Sequence, residues 1–504
     1  MSSNRNDPMR TGTVAPERPT RVGERLTSLE FALLLASVLV CRLLAMRACP
    51  VYDDAFITYR YARNLTEGLG MVFNPGAAWE PVLGTTTPLY GFVLGVLGHL
   101  PFDLVDVSRG LNALCDVGAA ALIARAFGLR RLGATIAVLL FAAFPELARI
   151  SVGGMEAPLF ALLALAASSL VFAGRVAWAG VFAALACTVR PEGVLLVGVC
   201  VLELLRRPRA LLAFGVPVAA IGLATIAILN RAYGFPIPQS VLAKSHMKAG
   251  AWERIEPILA QSFAPHALLW LAFPLACVGF FVLLRRPGPL RSFVAFGLAI
   301  TASYLAARPH VWGWYFYVPL ASTLLALGAG AEFAFERWLR PRAAWIELTA
   351  PRVFVPIALA GVAIVSLSWP TPVTSRVYAP MQQWASAVSQ REPGARILAS
   401  DIGAIGWAWK GTVLDSEGLT WPPALDYPHP NAIIRAFRPE YLLVVAERDR
   451  VAPLYADPQL LAEYEPIERF SPDGARELSP ALDTLPPRWA QDYLVYRRRD
   501  AGAR

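Results

Sequence analysis

Apolar runs long enough to cross ~30 Å of hydrocarbon recur through the first three quarters of the chain. They lie near 29–46, 87–102, 109–127, 132–147, 157–174, 176–189, 193–205, 211–229, 264–284, 292–307, 315–333 and 352–369. Segments such as 158–174 and 210–229 carry no polar face at helical spacing, which a soluble core helix would need. The pattern predicts an α-helical polytopic membrane protein with about 11–13 transmembrane helices. After residue 370 the apolar runs shorten to four or five residues, as in Arg396-Ile397-Leu398-Ala399-Ser400 and Tyr441-Leu442-Leu443-Val444-Val445, bounded by Pro, Gly and Asp. Those are strand signals. With helical patterns over 384–388 and 430–437, they predict a small C-terminal α/β domain over 371–504.

Arginine positions set an expected sidedness. Arg130/Arg131, Arg175, Arg206/Arg207/Arg209, Arg285/Arg286/Arg291 and Arg337/Arg340/Arg342 fall at every second loop and are expected inside. The loops near 148–156, 190–192, 230–263 and 308–314, with the C-terminal domain, are then outside. One conflict arises between 87 and 127, where two full spans would place Arg130/Arg131 outside. Segment 87–102 is short and holds Gly91, Gly95, Gly98 and Pro101. We expect it not to cross fully, an arrangement allowed where it is buried in protein. The resulting plan is a disordered cytoplasmic tail at 1–27, a membrane domain at 28–370 with a first outer loop at 47–86 and a long outer loop at 230–263, and an extracytoplasmic domain at 371–504. The first apolar run has no small-residue cleavage site and reads as a retained span.

Composition sharpens this plan. The 504 residues are 56% hydrophobic and 16% charged, with a net charge of +9. That surplus sits in arginine clusters between spans, so nucleic acid is not an expected partner, whereas membrane lipids are. The cysteines at 41, 49, 115, 187, 200 and 277 show no CxxC or Cys/His spacing, which argues against disulfides and zinc.

Candidate chemistry gathers on the outer side. Asp53 and Asp54 open a helical run, Ala55 to Glu67, that stops at Gly68 and Gly70. One acid is expected to cap this helix. Consecutive side chains diverge, so the other points elsewhere, with Arg60 and Arg63 one and two turns away. Glu156 follows Gly153-Gly154 at the mouth of a span, where a helix dipole alone would also favour an acid. Arg190-Pro191-Glu192 reads as a local ion pair at a helix break. In the long outer loop, Tyr233 to His246 is Pro-rich and reads as a flexible lid carrying Lys244 and His246; a snorkelling lysine is the plainer reading. His310, Trp312, Trp314 and Tyr315 belong to an aromatic cluster that suits either an interfacial belt or sugar stacking.

The run Tyr52-Asp53-Asp54-Ala55-Phe56-Ile57-Thr58-Tyr59-Arg60-Tyr61-Ala62-Arg63-Asn64-Leu65, followed by Glu67-Gly68-Leu69-Gly70-Met71-Val72-Phe73-Asn74-Pro75-Gly76, resembles the first outer loop of GT-C superfamily glycosyltransferases. The nearest subgroup looks like bacterial arabinofuranosyltransferase and mannosyltransferase-like enzymes. Further echoes are Gly154-Met155-Glu156-Ala157-Pro158, Arg190-Pro191-Glu192-Gly193, Lys244, Trp312-Gly313-Trp314-Tyr315, Asp401-Ile402-Gly403 and Asp415-Ser416-Glu417-Gly418. The resemblance spans about 29–420. Where relatives often carry a Glu-Gly-Tyr-Thr-type segment, this chain has Trp79-Glu80-Pro81-Val82-Leu83-Gly84-Thr85-Thr86-Thr87-Pro88, which leaves sugar identity open.

The resemblance implies a multi-pass enzyme of the bacterial inner membrane that uses a polyprenyl-phosphate sugar donor and a glycan, lipid or protein acceptor, with inversion. A prenyl phosphate leaves readily, so one carboxylate base and cations for the phosphate are the chemical needs. The base is Asp53 or Asp54, the family pattern favouring Asp53. Arg60, Lys244 and His310 are expected on the phosphate side, with Arg63, Glu80, Glu156, His246, Trp312, Trp314 and Tyr315 as further substrate contacts. A divalent metal ion (magnesium or manganese) stays open, since some relatives need one and others do not. The alternative class is a transporter or flippase for a lipid-linked sugar, which should show mid-span charges and two related halves with broken helices.

Overall fold

The computed structural model describes residues 25–128, 130–246, 267–307, 309, 311–339, 346, 349–358, 360–361, 373–445, 457–471 and 492–502. Most of the expected tail, half of the long outer loop, His310 and half of the 352–369 segment lie outside these residues, as does the side chain of His246.

The first part is helical: α1 (Ser28–Ala48), α2 (Asp53–Thr66), α3 (Pro88–Leu97), α4 (Leu104–Ala126), α5 (Arg131–Ala143), α6 (Pro145–Val152), α7 (Ala157–Phe172), α8 (Val176–Val189), α9 (Gly193–Leu204), α10 (Pro208–Tyr233), α11 (Gln239–His246), α12 (Ala267–Arg285), α13 (Pro289–Ala307) and α14 (Tyr317–Ala334). Among the described residues, five helical segments are long and apolar enough to span a membrane: Ser28–Ala48, Leu104–Ala126, Pro208–Tyr233, Pro289–Ala307 and Gly313–Leu339. The pair α5 and α6 is long and apolar enough to span when taken together, with a bend of 59° between the two helices, and shorter apolar helices accompany these segments. This is the helical polytopic class that the hydropathy pattern predicts.

Local sequence explains the boundaries. Thr27 and Glu30 form a capping box at α1, the Thr27 hydroxyl accepting from the Glu30 N–H and the Glu30 carboxylate from the Thr27 N–H. Helix α3 is only 10 residues long, a rise of about 15 Å, half the hydrocarbon thickness. Its glycines face α2 closely; a Cβ on Gly95 would sit 2.6 Å from Leu65. The outer-loop lid differs from expectation. Residues Gln239–His246 form helix α11, moored by Gln239, whose N–H donates to the Leu83 carbonyl at 2.9 Å and whose amide donates to the Gly418 carbonyl at 3.2 Å.

The break between α5 and α6 falls at Pro145, which has no N–H to give to the Phe141 carbonyl one turn back. Arg42 of α1 supplies the missing donors, reaching the Phe141 carbonyl at 3.0 Å and the Ala142 carbonyl at 2.7 Å. Its Nε donates to Asp116 of α4 at 2.5 Å, and Asp116 also accepts from Ser151 at 2.7 Å and from Tyr317. Both charges are fully buried. Sequence reading found few mid-span charges; this pair is one, and its bonding is spent on holding the bent span.

The C-terminal part holds α15 (Val373–Arg391), β1 (Arg396–Ala399), α16 (Gly403–Ala408), β2 (Thr412–Asp415), α17 (Pro430–Phe437), β3 (Tyr441–Val445), α18 (Pro458–Glu463), β4 (Tyr464–Phe470) and β5 (Tyr493–Arg498). The sheet order is β2-β1-β3-β5-β4, with β1 parallel to β2 and β3, and β5 antiparallel to β3 and β4. The expected β1, β3 and α17 are present; β2, β4 and β5 are additions to the sequence reading. At the β2 edge, the Asn74 side-chain amide donates to the Val413 carbonyl and accepts from the Val413 N–H, both at 2.9 Å. A side chain of the first loop thus extends the sheet.

Removing one partner of the buried α1–α4 ion pair leaves an uncompensated charge in the bundle. We expect Asp116→Ala to lower stability by about 3–5 kcal/mol, read as a lowered thermal midpoint in detergent. Retention of the wild-type midpoint would refute the role of this pair.

Candidate functional site

The site grows from the start of α2. Neither acid sits at the cap position, which is Tyr52 and makes no side-chain cap bond; Asp53 and Asp54 occupy the first helical turn. They diverge as adjacent residues must. Asp53 caps a different helix, accepting from the N–H groups of Gly403 at 2.9 Å and Ala404 at 2.8 Å at the start of α16. The approach requires glycine at 403, where a Cβ would lie 1.9 Å from the Asp53 carbonyl oxygen. Burial, with the Asp401 carboxylate adding, pushes Asp53 up to about 8 despite these two donors. Asp401 itself accepts from the Tyr493 hydroxyl at 2.9 Å.

Asp54 turns the other way. Among the described residues, its half-buried carboxylate makes no hydrogen bond and no ion pair within 4 Å. Burial raises its pKa, with Asp401 and Glu156 adding and Lys244 opposing. Lys244, on α11, donates to the Tyr315 hydroxyl at 3.4 Å. Burial works against its ammonium, but Tyr315 and Asp54 more than offset it and hold its pKa above the ordinary lysine value. The Tyr315 ring lies 4.4 Å from the Arg190 guanidinium. Arg190 pairs with Glu156 at 2.5 Å and Glu192 at 2.9 Å, and Tyr304 donates to Glu192 at 2.6 Å. The Arg190-Pro191-Glu192 ion pair is therefore present, extended by Glu156, which is 1% exposed.

The arrangement separates the predicted residues into two sets. Asp54, Glu156, Lys244 and Tyr315, with Arg190, converge. Arg60 belongs elsewhere. Its Nε donates to the Phe73 carbonyl at 2.6 Å, one terminal nitrogen to Gly406 and to Trp409 at 3.1 Å, and the other to Asn74 at 3.4 Å and Gly411 at 3.3 Å. All five N–H groups of a guanidinium are thereby used, which leaves none for a phosphate, and burial lowers the pKa to about 9. Arg63 donates to the Trp407 carbonyl at 2.8 Å and lies over the Trp407 ring. Glu80 accepts from the N–H groups of Phe73, Asn74 and Val82 within its own loop. Arg60, Arg63 and Glu80 shape the first loop and its junction with the C-terminal part.

Trp312 stacks on Trp314 at 5.8 Å with planes 9° apart, and Trp314 packs 4.8 Å from Tyr52. This aromatic row leads to the α2 start. Sequence reading gave Asp401 no role at the site, though the strand-end segment Asp401-Ile402-Gly403 carried a signal. Asp53 and Asp401 are already engaged by N–H and O–H donors, and among the described residues no three His, Cys, Asp or Glu side chains form a metal-ligand set. The magnesium or manganese left open by the sequence finds no ligand set there.

This bundle, with its first-loop helix clasped by a small α/β part, has the fold of the GT-C polytopic membrane glycosyltransferases. It is similar to the crystal structure of ArnT from Cupriavidus metallidurans bound to undecaprenyl phosphate, with a TM-score of 0.55 and 13% identity, covering 92% of this chain and 97% of that one. A family profile described as a domain of unknown function (DUF8728) matches residues 373–496. No curated protein matches the chain.

Two outcomes follow from this geometry. Arg60→Lys cannot replace the fork of donors, and each buried carbonyl left unpaired costs about 1–3 kcal/mol; faster proteolysis of the C-terminal part and a lower melting temperature are expected, and wild-type behaviour of R60K would contradict the five-donor assignment. Asp53 binds its proton more tightly folded than unfolded, so its contribution to stability falls as pH rises from about 4 to about 8. A melting-temperature profile against pH should therefore be flatter for Asp53→Asn than for the wild type across that window.

Proposed function

We propose that this protein is a membrane glycosyltransferase that moves a sugar from a polyprenyl-phosphate donor to an acceptor hydroxyl on the outer face of a bacterial inner membrane. The observation that carries the reading is the open carboxylate of Asp54 set opposite Lys244, while its neighbour Asp53 is spent on the α16 backbone. Asp54 is the general base. It accepts the acceptor O–H proton as that oxygen bonds to the anomeric carbon, and the bond from that carbon to the phosphate oxygen breaks on the opposite face, inverting the centre. The prenyl phosphate departs with the electron pair and an added negative charge. Lys244 meets that charge with its ammonium and Tyr315 with its hydroxyl, inside a partly dry site where such contacts count for more than in water. Arg190, neutralised by Glu156 and Glu192, fixes the Tyr315 ring. The row of Trp312, Trp314 and Tyr52 offers the flat apolar surface that sugar rings favour.

Purified protein in nanodiscs, given polyprenyl-phosphate sugars and glycan or lipid acceptors, tests this reading. Asp54→Asn should lower transfer about 10²- to 10⁴-fold. Asp53→Asn should cost less, by loosening the clasp. Wild type that consumes no donor would overturn the reading, and an Asp53→Asn loss as deep as that of Asp54→Asn would reverse the base assignment. The base works ionised, so the acidic limb of the rate profile should lie above the ordinary carboxylate range. Lys244→Met removes the cation that favours ionisation and should move that limb further toward alkaline pH.

A further inference from the structure

At the end of the bundle opposite the Asp54 site lies an open groove of ≈ 610 Å³ between α8 and α10. Helix α8 separates the two ends: its 14 residues rise about 21 Å from Arg175 to Arg190 at the site. Trp178, Val181, Leu212, Val216 and Pro217 line the groove, and Arg209 stands in its wall. These apolar side chains are open to the surroundings, Trp178 by 55%, Leu212 by 69% and Val216 by 59%. Only 6% of the most apolar stretch of α10 is covered by the rest of the protein.

The mouth of this groove is strongly positive. Arg175 immediately precedes α8, while Arg206, Arg207 and Arg209 surround the start of α10. All four are exposed, and among the described residues none makes an ion pair. The nearest acid in sequence, Glu203, is already bonded to Arg291 at 2.9 Å and Ser292 at 3.0 Å. Both helices also present their N-terminal N–H groups at this end, a partial positive charge added to the arginines. A cationic mouth leading into an apolar trough at membrane depth is complementary to one kind of molecule: an anionic head joined to an acyl chain.

We propose that the α8–α10 groove is a binding site for an anionic glycerophospholipid, with the phosphate among Arg175, Arg206, Arg207 and Arg209 and one acyl chain along Trp178, Leu212 and Val216. This site stands apart from the reaction centre. The lipid seals the outer side of two helices that meet tightly at Gly180, where a Cβ would lie 2.3 Å from the Phe214 carbonyl oxygen.

Native mass spectrometry of the full-length protein, titrated with phosphatidylglycerol or phosphatidylcholine of identical acyl chains, tests the proposal. Each arginine near an anionic head is worth on the order of fivefold in affinity, so wild type should retain phosphatidylglycerol at least about tenfold better than phosphatidylcholine. The triple variant R206Q/R207Q/R209Q should lose that preference. Val216→Trp, which fills the trough and keeps the arginines, should weaken retention several-fold. Arg286→Gln, an exposed arginine outside the groove, should leave retention unchanged. Equal retention of the two lipids, or the same loss in Arg286→Gln as in the triple variant, would reduce the site to general membrane contact and overturn the proposal. Unaltered retention in Val216→Trp would overturn the seated chain.

Discussion

The guanidinium of Arg60 is the constraint on which the candidate site depends. It lies buried at the junction of the first loop and the C-terminal part, where water cannot satisfy it, and its donors bind carbonyls from both sides. A charge in that position holds only while every partner is present. It therefore fixes α2 against α16, and through α2 it fixes the direction in which Asp53 and Asp54 point. The pair cannot rotate to exchange roles without dismantling the junction.

Two acids adjacent in sequence acquire different chemistry by this means. Asp53 faces backbone N–H groups and the Asp401 carboxylate, and Asp54, with no hydrogen bond among the described residues, feels the charge of Lys244. The distinction arises from residues some 350 positions away in the chain, brought in by a separate part of the fold. The same division runs through the cations. Arg60 is consumed by carbonyls and the Asn74 amide, whereas Lys244 retains donor capacity beyond its contact with Tyr315.

The helical membrane class was legible in the sequence because apolar length is a local property. The first strand and β3 were legible for the same reason, as short apolar runs bounded by breakers. Strand β4 was not: Tyr464–Phe470 includes Pro466 and the charges of Glu465, Glu468 and Arg469, which read as loop until β5 pairs with it. The acids, Lys244 and the Arg190 loop could be gathered on one side from loop order alone. What sequence could not reveal was expenditure. Arg60, Glu80 and Asp53 look like free functional groups until their nonlocal or backbone partners are known, and those partners are mostly N–H and C=O groups that carry no residue signature. The bent α5–α6 span was hidden for the same reason, since Arg42 answers a vacancy created by a proline about a hundred residues later.

The amide of Asn74 has a consequence beyond anchoring the loop. An exposed β2 edge would be a template for strand pairing with a neighbouring molecule, and proteins crowded in the plane of a membrane meet one another in few orientations. Asn74 occupies the edge N–H and C=O of Val413. At the other edge, β4 presents Glu465, Pro466, Glu468 and Arg469. The small sheet is thus closed to sideways growth at both ends, so it can sit in a dense layer of its own kind without being drawn into shared sheets.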